Sequence, residues 1–317
     1  MKPILGKTIL VRAPASIANL GPGYDVLAMA LEKPEDEVLI RIERGKGNIY
    51  VNVTDNNVPG GKENSAYAVA RAFIEAYDVR EYDIHIIVKK GIPVSAGLGG
   101  SGATSAAVAY GLVKLFNIEL SKRELLELAG IGEAHVVGSA HYDNVAASLF
   151  GGIVLVDPFE LEIYNIVPKY KLFVGVIVPY ERDKRYKTKK ARAILPKNID
   201  LRTHVRQSAS IIKLVHALHT GDIRVLGKAI SSDYIIEPKR SVLIREYWSM
   251  KKIALGNGAL GFNIAGAGPS VFFIHESPKQ TTSICNIIID YLRKRGIEAF
   301  SIITSISEKG VLLGNTK

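Results

Sequence analysis

From Lys90 to Ala107 the chain runs Lys-Gly-Ile-Pro-Val-Ser-Ala-Gly-Leu-Gly-Gly-Ser-Gly-Ala-Thr-Ser-Ala-Ala, with an apolar run before it and an alanine-rich run after it. Glycines without Cβ let the main chain approach a polyphosphate, and a helix opening near Ser101 adds free N–H groups and the positive end of its dipole. Pro93, Val94, Ser95, Ala96, Gly97, Leu98, Gly99, Gly100, Ser101, Gly102 and Ala103 are therefore a candidate nucleotide cradle. No Lys follows the last glycine, so the Gly-Lys-Ser/Thr ending of the Walker loop is missing. A tight strand-to-helix connection would use the same residue types. Three other clusters carry chemistry. Asn19 and Asp25 bracket Leu-Gly-Pro-Gly-Tyr; by type alone they read as turn formers, with Asp25 capping a helix over Val26 to Leu31. Glu133, then His141, Asp143 and Asn144, read alone as a solvated helix residue and a helix cap beside a surface histidine. Arg192 closes a basic run that starts at Arg182, and Arg240 ends Ile-Ile-Glu-Pro-Lys-Arg; the bland reading leaves both charges in solvent.

The elements that must position these residues follow from periodicity and punctuation. Strands are predicted at Thr8–Arg12, Val38–Ile42, Ile49–Val53, Ile84–Val88, Ile153–Val156, Leu172–Val178, Phe300–Thr304 and Gly310–Leu313. Helices are predicted at Asn64–Tyr77, Ala103–Phe116, from a Ser121/Glu124 capping box to about Ala129, at His204–His219 and at Lys279–Arg295. Gly261 to Ile274 reads as a hairpin around a Gly-Pro turn. A domain boundary is placed near Ile166 to Lys169, dividing the chain into 1–166 and 167–317.

Composition narrows the classes. The chain has 317 residues, 47% of them hydrophobic, enough for two well-cored domains. Its formal charge of +10 would suit a nucleic-acid binder, but 31 acidic residues are interspersed among 41 basic ones, so an anionic small substrate is the better match. Cys285 is the single cysteine and lies in an apolar run, which predicts a buried structural thiol and a reducing, cytoplasmic setting. No signal peptide is expected in Met1 to Arg12, and the apolar window Gly258 to Ile274 is too short and broken for a membrane span.

Pro93 to Ala103 resembles the second motif of the GHMP kinases, usually Pro-x-x-x-Gly-Leu-Gly-Ser-Ser-Ala, with Gly100 for the first Ser, Gly102 for the Ala, and Ser101 keeping the second Ser. Each Gly loosens the helix start by about 0.5–1 kcal/mol relative to Ala, while the backbone donors survive. Within that family the closer resemblance is to homoserine kinases. Ala13 to Asp25 is similar to their first motif, and His141 to Gly152 to their His-x-Asp-Asn-Val-Ala-Pro segment, with Ala147 for the Pro. Thr188 to Pro196 resembles their Ala-Arg-x-Ile-Leu-Pro element, Ser231 to Arg240 their Glu-Pro-x-Arg element, and Gly261 to Ile274 the third GHMP motif, with Ala265 at its usual Ser.

The resemblance implies an α+β, two-domain GHMP kinase fold, N-terminally like ribosomal protein S5 domain 2 and C-terminally ferredoxin-like, with the site between the domains. It implies transfer of the ATP γ-phosphoryl to the L-homoserine hydroxyl, a step of threonine biosynthesis, with Mg²⁺ held by Ser101 and Glu133. Asp25 then matches the substrate ammonium and Arg192 and Arg240 its carboxylate, while Asn19, His141, Asn144 and Thr188 orient the hydroxyl. Asn144, Arg192 and His141 are the implied catalytic residues; Asn144 cannot accept a proton, which leaves the general base open and Asp143 a candidate orienter. The third motif is expected to pack on the glycine loop. Two alternatives stay open: a GHMP kinase acting on mevalonate or shikimate, and an S5-like RNA-binding module. Oligomeric state, including a homodimer, is left open as well.

Overall fold

The computed structural model describes residues 6, 8–55, 57–168, 170–180 and 187–314. Its first sheet is organised by the 18-residue strand β2 (Leu27–Arg44), which pairs antiparallel with β1 (Thr8–Ala18). The start of β2 also pairs with β5 (Ile153–Val156), which carries β6 (Ile163–Ile166); the far half of β2 pairs with β4 (Tyr82–Lys89), and β3 (Ile49–Val53) lies parallel on the outside of β4. The predicted capped helix at Val26–Leu31 is overturned: Leu27 to Leu31 begin β2, and Asp25 sits in the preceding turn at φ +58°. The reason is physical. All five residues are buried, and a run covered on both faces shows no alternation that would separate strand from helix. Likewise β1 runs through Pro14 to Ala18, the pairing slipping between Pro14 and Ser16 where proline cannot donate to the ladder.

Helices α1 (Ser65–Tyr77), α2 (Gly100–Leu115), α3 (Lys122–Val137) and α4 (Tyr142–Phe150) belong to this domain, and α2 packs on β1 and β2. Asn64 caps α1, and Ser121 with Glu124 forms the expected capping box of α3. Helix α3 continues well past Ala129, carrying Glu133 inward. Gly130 and Gly132 look like helix stops, but they let helices approach: a Cβ on Gly132 would come 2.4 Å from Ser105 Oγ and 2.9 Å from the Ser65 carbonyl.

The second sheet has the order β10 (Ala299–Ser305), β7 (Phe173–Pro179), β9 (Val271–His275), β8 (Gly261–Ile264), all antiparallel. Both faces of β7 and β9 are buried. Val174, Val176, Phe272 and Ile274 join the core of the first domain, together with α6 (Leu201–Thr220) and α7 (Ile223–Ile230), while Ile177, Val271 and Phe273 face α9 (Tyr247–Gly256) and α10 (Pro278–Arg293). The two domains thus share one continuous core, each fully buried Leu, Ile or Phe contributing roughly 1.5–3 kcal/mol. Cys285 is buried on α10, where burial pushes its thiol up to about 12, as suits a structural side chain. Two short helices, α5 (Lys187–Ala193) and α8 (Ile236–Arg240), carry the arginines. In chain order the first sheet takes β1 to β6 and the second β7 to β10. The last strand, β11 (Leu312–Gly314), departs from that order by pairing with β1 in the first sheet. Among the described residues no helix is long and apolar enough to cross a membrane.

Candidate active site

A cavity of about 360 Å³ lies where the first sheet, α2, α4 and the two short helices meet, and Asn19, Asp25, the loop from Pro93 to Ser101, Glu133, His141, Asp143, Asn144, Arg192 and Arg240 all line it. The glycine loop leaves β4 and enters α2 at Gly100, with left-handed backbone at Ser95, Gly97 and Gly99. Gly97 is required twice, by its φ of +81° and because a Cβ there would lie 2.4 Å from the Ala265 carbonyl. The third motif therefore packs on the loop, as expected. A Cβ on Gly99 would strike Ser16 Oγ at 2.1 Å. The N–H groups of Gly100, Ser101 and Gly102 precede the first helical bond, Ala103 N–H to the Gly99 carbonyl at 2.9 Å, and stand open to an anion.

At the other end of the cavity Arg192 donates through Nη2 to both oxygens of Asp25, at 2.9 and 3.2 Å, although 167 residues separate them. Arg192 Nε is buried and has no partner among the described residues. Arg240 is only 4% exposed; its Nε donates to the Ala191 carbonyl (3.2 Å) and its Nη1 to the Gly266 carbonyl (2.9 Å). Burial lowers the Arg240 pKa from its ordinary value, offset in part by Tyr24 and Asp25. Both guanidiniums lie over the Tyr24 ring, with Cζ to centroid distances of 5.2 Å for Arg240 and 5.9 Å for Arg192. Sequence reasoning missed Tyr24, although it stands between Gly23 and Asp25 in the first motif. Asn19 works on the scaffold: its Oδ1 accepts from the Asp25 N–H at 3.1 Å, and its Nδ2 donates to the Gly266 carbonyl at 3.0 Å.

Between the two ends, His141 and Glu133 are neither solvated nor at the surface. His141 Nδ1 lies 3.2 Å from Glu133 Oε1, with side chains 11% and 6% exposed. Burial alone would lower the His141 pKa, but the bond to Glu133 and the charges of Glu133 and Asp143 outweigh it and hold it raised. Glu133 Oε2 is buried without a partner among the described residues, and Ser101 lines the same cavity. An orphaned carboxylate oxygen and a serine hydroxyl lining one cavity with an anion cradle make a donor set that fits a hard divalent cation, which takes few protein ligands and completes its shell with phosphate and water. Asp143 is buried; burial, then the charge of Asp25, pushes its carboxyl up to about 7, against the Asn144 N–H that donates to it at 2.7 Å. Asn144 Oδ1 accepts from Ser16 Oγ at 2.8 Å, which leaves its amide N–H groups for a ligand. Ser16, buried in β1, is a second residue missed from sequence, although it lies within the stretch from Ala13 to Asp25. The Thr188 side chain lies outside the described residues.

Comparison with known proteins identifies the family. The sequence model of the GHMP kinase N-terminal domain matches residues 64–152, and that of the GHMP kinase C-terminal domain residues 214–294. A homoserine kinase of Methanococcus vannielii is 37% identical over 272 residues, 84% of this chain and 88% of that one. A homoserine kinase of Aeropyrum pernix is 34% identical over 279 residues, 86% of this chain and 88% of the relative. The crystal structure of a homoserine kinase from Cytophaga hutchinsonii superposes with a TM-score of 0.90 at 33% identity, covering 99% of this chain and 100% of that one. With both domain models matched in order and such identities along most of its length, the chain belongs to the homoserine kinases of the GHMP kinase family.

Proposed function

We propose that this chain transfers the γ-phosphoryl group of ATP to the side-chain hydroxyl of L-homoserine, releasing O-phospho-L-homoserine and ADP. The observation that carries the reading is the convergence of Asp25, Arg192 and Arg240 on the cavity that holds the glycine loop. That set complements the ammonium and carboxylate of an amino acid, while the loop complements a polyphosphate. Arg192 Nε and the Asn144 amide offer donors to a bound ligand, and His141, raised by Glu133, adds a third. Phosphoryl transfer through a loose transition state asks chiefly for alignment and charge neutralisation, so Asn144 in place of a carboxylate costs little. Ser101 and Glu133 would hold Mg²⁺, which would supply charge neutralisation to the phosphates. Two free metabolites as substrates, one of them ATP, are consistent with a reaction in the cytosol. The test is ADP release across L-homoserine, L-threonine, mevalonate and shikimate at saturating Mg-ATP. Turnover is expected with homoserine above the others; preference for mevalonate or shikimate would overturn the assignment of Asp25.

A further inference from the structure

Strand β2 carries Glu35, Asp36 and Glu37 in succession, and the pleat divides them. Glu37 meets Arg12 on the outside at 3.1 Å, whereas Asp36 is completely buried beneath the glycine loop. Asp36 Oδ1 accepts from the N–H groups of Gly91 and Ile92, both at 3.1 Å. Its Oδ2 accepts from Thr104 Oγ1 at 3.1 Å and pairs with the Lys90 ammonium. Lys90 Nζ in turn donates to the Gly100 carbonyl at 3.0 Å. One carboxylate thus grips both ends of the loop: the stem at 90–92, directly, and the first turn of α2, through Thr104 and Lys90. Stability alone does not call for this, because an apolar pair of similar volume is often as good as a buried ion pair. What an apolar pair cannot do is tie two backbone N–H groups to a helix start at a fixed separation.

We propose that Asp36, acting through Lys90, is a positioning residue for the nucleotide: it sets the distance between the loop stem and the N-terminus of α2, so that the loop N–H groups converge on a nucleoside triphosphate. The proposal rests on the reading of the loop as the ATP site. It is tested by binding of a non-hydrolysable ATP analogue, measured by calorimetry without homoserine, so that its failure is separate from failure of the substrate assignment, which wild-type turnover reports. Asp36→Asn keeps an oxygen toward Gly91 and Ile92 but cannot take the Lys90 charge. It should weaken analogue binding and raise KM for ATP by about tenfold, with kcat and KM for homoserine within about twofold. Lys90→Met, which strands a buried carboxylate, should lower Tm as well. Combining Asp36→Asn with Lys90→Met removes both charges and should recover Tm while leaving analogue binding weak, a separation that a purely structural role does not produce. The double variant also supplies the measurement if either single variant fails to fold. Affinity within twofold of wild type in a folded variant, or affinity recovering in step with Tm in the double variant, would overturn the proposal.

Discussion

Arg192 and Arg240 differ in what a change to lysine would remove. Arg192 is 40% exposed and paired to Asp25, so Arg192→Lys should leave Tm nearly unchanged, an exposed pair being worth at most about 1 kcal/mol. In a homoserine titration at saturating Mg-ATP, its lost planar fork should lower kcat/KM by roughly 10- to 150-fold. Arg240→Lys should fall in both measurements, because the Ala191 carbonyl loses its side-chain donor at about 1–3 kcal/mol, while the Gly266 carbonyl keeps the Asn19 amide. An unchanged kcat/KM in both variants would sink the carboxylate clamp. Ser101→Ala and Glu133→Gln should both raise the magnesium concentration needed for half-maximal rate; an ordinary magnesium dependence in both would refute the metal assignment. Asp143 gives a pH prediction. Its carboxyl titrates near 7 in the fold and near 3.8 unfolded, so the fold binds the extra proton, and stability is lost as pH rises through about 7. Metal-free Asp143→Asn should therefore melt above wild type by a margin that widens from pH 5.5 to pH 8.5. A margin that stays constant would show that Asp143 is charged across that range.

At the scale of elements, the glycine loop separates glycines that geometry requires from those it does not. Gly97→Ala forces a left-handed alanine, about 1–2 kcal/mol for the backbone alone, and collides with the Ala265 carbonyl; nucleotide affinity and Tm should both drop. Gly102 lies within α2, and a Cβ there would make ordinary contacts at 3.4 and 3.5 Å with Val145 and Asn144. Gly102→Ala should raise stability by about 0.5–1 kcal/mol, read as a shift in denaturation midpoint, and a loss would mean that the loop needs that freedom. This loop was legible in sequence because its composition is local punctuation. The start of β2 was not, since residues buried on both faces carry no period, and α3 ran past two glycines that served helix contact rather than termination. Asp36 was hidden for another reason: among three acidic residues in a row, only the pleat tells which one faces inward, and its partners lie at 90–104, far along the chain.

Across the whole molecule, the last strand closes the first sheet. Beyond the pairing of β11 with β1, the Gly152 N–H donates to the Ser307 carbonyl at 2.7 Å, and the Ser307 N–H to the Ala30 carbonyl at 2.9 Å. Ending the chain at Ile306 should therefore lower the melting point by roughly 3–5 °C, the scale of about 2–3 kcal/mol in a chain this long. An unchanged melt would show that β1 needs no edge partner. Another tie across the molecule is the contact of Asp25 with Arg192, which joins the turn before β2 to α5. The two groups proposed to receive the charges of the substrate hold each other before it arrives. A ligand bearing both signs on one carbon can open that pair and satisfy each half, so charge is conserved in the exchange and ionic strength should have little effect on it. A ligand bearing one sign leaves the opposite half stranded in the cavity. Selection of an amino acid over a plain hydroxy acid, or over an amino alcohol, then comes from the cost of an abandoned partner rather than from any added attraction.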